Sequence, residues 1–255
     1  MGDQLPQFTV AAVQAAPVFL DREATIDKAC ELIAQAGRTG ARLIVFPETW
    51  VPAFPYWLHG VSAAKRGELF TELFLKAVEV PSPATDKLCQ AARKAQAYVT
   101  IGINERDGQF HGSLYNSLLY ISPEGETMGT HRKLMPTEIE RTVWGWGDGS
   151  GLHVFDTLLG RLGGLICWEH EMTLVKYTLY SVLKGGAGPR LRMACHERSE
   201  QPHRFRLPPI RLRRPLLRRC ELWVHDPRAP SIQVWAEQRE KPGCQRGKRH
   251  HRPRR

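Results

Sequence analysis

Residues Gly163–Met172 read GGLICWEHEM: a run of small and apolar residues, then a cysteine, then Trp168 and Glu169. The ordinary reading of Cys167 is core packing, because free cysteine is among the most buried residue types. The alternative is a nucleophile held where a strand ends. The segment reads as a strand ending in Cys167 and followed at once by a helix, Met172–Leu183, with Met172, Val175, Leu179 and Val182 on one side. Backbone N–H groups at such a helix start can stabilise a thiolate and a developing negative charge. A thiol also needs a base to deprotonate it and a cation to hold the tetrahedral intermediate.

Two other segments supply those parts. In VFPETWVPAFPYWLHG (Val45–Gly60), Glu48 follows a buried strand by one proline. Alone it would be a polar residue opening a loop. Trp50, Phe54, Tyr56 and Trp57 around it suggest a pocket wall, and an apolar wall raises a glutamate's pKa into the range of a general base. In GTHRKLMPTEIERTVWGWGDGS (Gly129–Ser150), Lys133 stands ahead of Pro136, with Glu138 and Glu140 five and seven residues on. Alone, Arg132–Lys133 would be a surface basic pair. No dinucleotide or phosphate-loop motif occurs in the chain.

Upstream and downstream the pattern alternates strand and helix. Strands are expected at Phe8–Ala16, Arg42–Phe46, Tyr98–Glu105 and Leu114–Ser122, with two more in LHVFDT and RLGGLI. A helix carries an apolar face at Ile26, Ala29, Cys30 and Ile33 and has Gly37 as its C-terminal cap. Further helices are expected over Ser62–Val78 and from Ser82, the cap, through Pro83 to about Gln96.

The net charge of +10 is unevenly held. Residues 1–183 carry 16 Lys and Arg against 20 Asp and Glu, whereas residues 184–255 carry 20 against 6 and half of the 18 prolines. The second part shows neither helix nor strand period. It reads either as a disordered basic tail that binds RNA or anionic surfaces, or as a stretch translated out of frame, and the second reading is preferred. The six cysteines form no C-x-x-C, and Cys167 with His170 makes a C-x-x-H with no second half, so no metal site is expected. No apolar run is long enough to span a bilayer. The N-terminus has no basic region of a signal peptide, so a reducing cytoplasm is expected.

Taken in order, FPETWVPAFPYW, HRKLMPTEIER and GGLICWEHEM resemble the three signatures of the nitrilase branch of the carbon–nitrogen hydrolase superfamily. The resemblance covers about residues 7–183. It implies an α/β fold, an α-β-β-α sandwich that normally dimerises into four layers, whose C-terminal part is incomplete here. Residues 1–183 would then be the hydrolase domain and 184–255 a basic tail without family match. The resemblance implies a Glu-Lys-Cys triad at Glu48, Lys133 and Cys167, with a supporting glutamate at Glu140 and none at Glu138. The backbone N–H of Trp168 would serve the oxyanion, and Trp50, Tyr56 and Trp57 would line the substrate pocket. The expected activity is cofactor-free hydrolysis of a small nitrile to a carboxylic acid and ammonia. An amidase or cyanide-processing relative is the alternative, as is an inactive truncated nitrilase. A homodimer or larger assembly is implied, with no nucleic-acid or membrane partner. The resemblance gives His131 and His170 no catalytic role. A basic nucleic-acid-binding protein driven by the tail is the reading outside enzymes.

Overall fold

The apolar runs of the first half of the chain assemble into one five-stranded sheet. A computed structural model describes residues 8–109 and 112–182, with two further strands at 191–196 and 223–225. The sheet contains β1 (Thr9–Ala12), β2 (Ala41–Val45), β3 (Tyr98–Arg106), β4 (Leu114–Ile121) and β5 (Thr127–Arg132), in that spatial order. β1, β2 and β3 are parallel, and β3, β4 and β5 are antiparallel.

Two helices cover one face. α1 (Arg22–Arg38) starts on Asp21, whose carboxylate accepts from the Ala24 N–H at 3.0 Å. α3 (Pro83–Ala95) starts on a reciprocal Ser82–Thr85 capping box with proline in its first turn, as the sequence indicates. Between them in the chain, α2 (Ala63–Lys76) is capped by Ser62. Ile26, Ala29 and Ile33 of α1 and Leu88 and Ala92 of α3 pack on Ile44, Val99, Ile101, Leu119 and Ile121. The residues that alternate with these, Leu43, Val45, Tyr98, Leu118 and Tyr120, face the other way, as a two-residue period requires.

That second face meets a second sheet. Its strands are β6 (Phe155–Thr157), β7 (Gly160–Ile166), β8 (Leu191–His196) and β9 (Trp223–His225). Leu162 and Ile166 pack between the sheets, and the Tyr120 hydroxyl donates to the Gly164 carbonyl at 3.3 Å. Leu165 points outward onto Leu179 of α4 (Thr173–Val182). The layers run helix, sheet, sheet, helix, which is the α-β-β-α sandwich the motifs implied.

Several expectations are corrected. Gly37 does not cap α1 but lies inside it, where an added Cβ would come 2.9 Å from Ala95 Cβ, so the glycine lets α1 touch α3. The helix ends at Thr39, and Gly40 takes the left-handed turn with φ +81°. β1 is shorter than Phe8–Ala16. β5 was not expected: an edge strand of sequence TMGTHR has too few apolar residues to announce itself. No α-helix follows β7 directly, because a 3-10 turn, Cys167–Glu171, precedes α4. Within the segment read as patternless, Leu191–His196 pairs in parallel with β7 and Trp223–His225 pairs antiparallel with Leu191–Met193. The short alternation Leu191, Met193, Cys195 was too brief a signal beside the surrounding arginines. The rest of residues 184–255, and the expectations about them, lie outside the described residues.

One close approach fixes the loop after β2. An added Cβ on Gly102 in β3 would stand 2.3 Å from the Pro47 carbonyl oxygen and 2.4 Å from the Thr49 nitrogen. The loop then runs along β3, with the Val51 N–H donating to the Gly102 carbonyl and the Asn104 N–H to the Val51 carbonyl. Gly102→Ala should therefore destabilise the protein by about 1–3 kcal/mol, the usual cost of overpacking. It should also displace Glu48. Urea unfolding of the variant beside the parent measures the first effect, and thiol reactivity of Cys167 reports the second.

Candidate active site

The strands deliver three charged side chains to one buried point. Glu48 stands on the loop that leaves β2, Lys133 directly follows β5, and Glu140 lies in the 3-10 turn Glu138–Thr142. Lys133 is 1% exposed, so its charge must be met inside the protein. Its Nζ donates to Glu48 Oε1 at 2.9 Å and to Glu140 Oε2 at 2.8 Å. Glu140 is fixed in turn by the Thr137 N–H at 2.8 Å, whereas Glu138, two residues earlier, is exposed. Asn116 of β4 donates to Glu48 Oε1 at 2.7 Å. Oε1 is thus doubly engaged, while Glu48 Oε2 is buried with no hydrogen-bond partner among the described residues.

Cys167 stands beside this cluster at the end of β7, in the left-handed region with φ +53°. The Trp168 N–H donates to its sulfur, and the charges of Glu48, Lys133 and Glu140 all act on it. Burial pushes the thiol up to about 11, helped by the Glu48 carboxylate and opposed by Lys133 and the Trp168 N–H. Burial likewise raises Glu48 above the ordinary glutamate value, against the pull of Lys133. For Lys133, burial works against the charge, but the two carboxylates overcome it and hold the ammonium well above the ordinary lysine value. The resting site is therefore a neutral thiol next to a buried carboxylate and a fixed cation.

Sequence reasoning missed two residues of this site. Asn116, with Ser117 beside it, is a polar interruption in the mostly apolar strand β4, and that is its signal. Glu169 is fully buried and accepts from the Ile166 N–H at 2.7 Å, the Leu134 N–H at 2.8 Å and His131 Nε2 at 2.9 Å. Burial opposes its ionisation, but His131 and the two N–H groups outweigh that and hold its pKa below the ordinary value. His131 thus serves Glu169, whereas His170 Nε2 donates to the Leu165 carbonyl at 3.0 Å.

The expected aromatic pocket residues are divided by the structure. Trp50 is 2% exposed and belongs to the core under α1, its ring tilted at 59° against Phe46 and its indole N–H donating to the Ala15 carbonyl at 2.7 Å. Its bulk is used in packing, which corrects the pocket assignment. Tyr56 and Trp57 lie in a separate cluster with Phe54, Leu58, Leu73 and Trp144. The Trp168 side chain is 66% exposed, so what it contributes inside the site is its backbone N–H. Among the described residues no cluster of His, Cys, Asp and Glu could hold a metal ion, and no helix is long and apolar enough to cross a membrane.

Residues 9–183 match the model of the carbon-nitrogen hydrolase family. The chain belongs to the carbon-nitrogen hydrolase family. It is 45% identical over 169 residues to a nitrilase of Bacillus sp. (strain OxB-1), covering 66% of this chain and 49% of that protein. It is 43% identical over 188 residues to a bifunctional nitrilase/nitrile hydratase of Nicotiana tabacum, covering 71% and 53%. The chain spans about half the length of the curated relatives it matches. Among solved structures, Saccharomyces cerevisiae Nit3, a member of branch 10 of the nitrilase superfamily, matches with a TM-score of 0.56 at 22% identity. That match covers 68% of this chain and 60% of the yeast protein, and it supports the shared hydrolase fold.

Replacing the cation tests the electrostatics directly. Lys133→Met leaves Glu48 and Glu140 facing each other without the cation they share and should cost about 3–5 kcal/mol of stability. The double variant Lys133→Met with Glu48→Gln should recover part of that loss. The penalty of the single variant should shrink as pH falls, because protonating Glu48 removes one of the uncompensated charges. Chemical denaturation of all three chains at pH 7.5 and 5.5 checks the order.

Proposed function

We propose that this carbon-nitrogen hydrolase is a nitrilase, converting a nitrile and two waters into a carboxylic acid and ammonia. The observation that carries the reading is the meeting of Cys167 with the buried Glu48–Lys133–Glu140 network, in which Glu48 Oε2 has no hydrogen-bond partner among the described residues. The names of relatives more than 40% identical over the same residues support the choice of nitriles. In this reading Glu48 Oε2 takes the proton of Cys167, and the sulfur attacks the nitrile carbon to give a thioimidate. Water adds, and the tetrahedral intermediate is held by Lys133 and the Trp168 N–H. Ammonia leaves with a proton returned through Glu48, and a second water, activated by the same carboxylate, hydrolyses the thioester. Glu140 keeps Lys133 aimed at the reacting centre. Water is the only co-substrate the chemistry uses. The substrate is a small organic nitrile, and the enzyme works in the reducing cytoplasm, where the thiol of Cys167 stays free. A homodimer remains part of the proposal.

A second product is favoured by one observation, the similarity to a bifunctional nitrilase/nitrile hydratase. Loss of the thiol in place of ammonia from the tetrahedral intermediate would release the amide. Product analysis by chromatography therefore accompanies the assay.

The test is ammonia release from benzonitrile, phenylacetonitrile and aliphatic nitriles by the purified full chain, with Cys167→Ala and Glu48→Gln beside it. Release by the parent and its absence from both variants is the expected result. Equal release by parent and Cys167→Ala would overturn the assignment, as would a parent that releases neither ammonia nor amide. The pH profile carries a second expectation. Glu48 has to be ionised to accept the proton, and burial raises its pKa. The acid limb of kcat/KM should therefore lie above the ordinary glutamate value of about 4.3. An acid limb at or below that value would remove Glu48 from the role of base.

A further inference from the structure

Glu169 is a fully buried carboxylate that the proposed chemistry leaves without a task. Its three contacts sort by what they hold. The Ile166 N–H, which donates to Oε2 at 2.7 Å, belongs to the residue just before Cys167. The Leu134 N–H, which donates to Oε1 at 2.8 Å, belongs to the residue just after Lys133. His131, whose Nε2 lies 2.9 Å from Oε2, is the second-last residue of β5, two before Lys133. The held-down pKa of Glu169 keeps it an acceptor at both oxygens. One side chain therefore clasps the end of an edge strand in the first sheet and the end of a strand in the second.

The two sheets carry the cation and the sulfur separately, so the distance between Lys133 and Cys167 depends on how the sheets are seated at this edge. Both segments are short and irregular here. Lys133 follows the last residue of β5, and Cys167 takes a strained left-handed conformation as β7 ends. Packing of Leu162 and Ile166 against the first sheet resists separation but is not directional. Two charge-assisted hydrogen bonds to opposite oxygens of one carboxylate are directional and short.

We propose that Glu169 is a positioning residue that fixes the separation of the Cys167 sulfur from the Lys133 ammonium, with His131 fixing Glu169. The proposal rests on Cys167 as the nucleophile of the site. An amide at this position retains one acceptor oxygen and presents donors on the other side, so it satisfies one backbone N–H and repels the other. The turn at Cys167 is then free to move relative to Lys133.

The variant is Glu169→Gln in the full chain, checked for folding by circular dichroism and a cooperative melt. Two readouts are taken. The first is steady-state kinetics on a nitrile hydrolysed by the parent: kcat should fall by roughly 100-fold, the loss that goes with a misplacement on the order of 1 Å, while KM stays nearly unchanged. The second is the pH dependence of iodoacetamide alkylation at Cys167, followed by mass spectrometry of its peptide. Removing a negative charge near the sulfur would by itself lower the midpoint. Moving the sulfur away from Lys133 raises it, and a raised midpoint is the expected result. If Glu169→Gln does not fold, His131→Gln carries the test, because it leaves both backbone contacts in place and should give the same changes at smaller size. A folded variant with a lowered or unmoved midpoint and parental kcat overturns the proposal, and so does failure of both variants to fold, which would make the role one of stability alone. Alkylation needs no nitrile, so a parent that alkylates normally but hydrolyses nothing would count against the nitrilase reading and not against this one.

Discussion

Everything in this fold bends toward the solvation of one ammonium group. Lys133 is shut away from water, and a lone buried ammonium would lose its proton or leave the interior. Two carboxylates hold it, and each comes from a different part of the chain. Glu48 is 85 residues away and Glu140 seven. The loop after β2 can reach Lys133 only because Gly102 lets backbone lie on backbone. The turn Glu138–Thr142 can reach it only because the Thr137 N–H holds Glu140 back toward its own start. Asn104 secures the same region from below: its amide donates to the Val51 and Ala53 carbonyls, and its oxygen accepts from the Trp144 indole. A buried ion pair of this kind adds little net stability. What it supplies is a demand for geometry, because a carboxylate out of place leaves a charge unmatched.

The same arithmetic of charge sets the state of the sulfur. Two carboxylates face one ammonium, so the cluster is net negative before Cys167 is counted. A thiolate beside it would add to that excess. Burial and Glu48 accordingly hold the thiol up near 11, and Lys133 and the Trp168 N–H do not fully offset them. A cysteine paired with a histidinium rests as a thiolate and is open to oxidants. This one rests protonated, and in the proposed reaction it would become a nucleophile only when Glu48 takes its proton. Glu48 is suited to the task proposed for it, since its own pKa is raised and its Oε2 has no hydrogen-bond partner among the described residues.

The sequence made the layers legible because burial leaves a period. Leu43 and Val45 against Ile44, or Leu118 and Tyr120 against Leu119 and Ile121, sort themselves between the two faces of the first sheet. Helix starts were legible from Ser62 and from Ser82 with Pro83, because caps are local chemistry. β5 was not, because an edge strand half open to solvent needs no apolar alternation. The three motif residues and Glu140 could be named from the resemblance, but no periodicity says that Asn116 meets Glu48 across 68 residues, or that Glu169 reaches Leu134 across 35. Trp50 shows the converse error. An aromatic residue two positions from a catalytic candidate was read as pocket wall, but on this loop successive side chains diverge, and Trp50 turns into the core under α1. Polar partners inside a fold are set by register between distant strands, and register is what a single sequence withholds.

The backbone around the site is strained in a consistent way. Among the described residues six non-glycine residues have positive φ, and three of them, Thr49, Glu138 and Cys167, lie at or within two residues of the four charged or nucleophilic groups. Each such conformation costs about 1–3 kcal/mol and persists only where its surroundings over-determine it. Here the surroundings are the hydrogen bonds already described: Glu140 to the Thr137 N–H beside Glu138, Glu169 to the Ile166 N–H beside Cys167, and Asn116 to Glu48 beside Thr49. A site held this way has little conformational freedom left to lose when a substrate arrives. Lys133 Nζ and the Trp168 N–H, the donors that the proposed chemistry would use against a developing negative charge, are held in place before that charge exists, and donors fixed in advance cost no reorganisation at the moment of reaction.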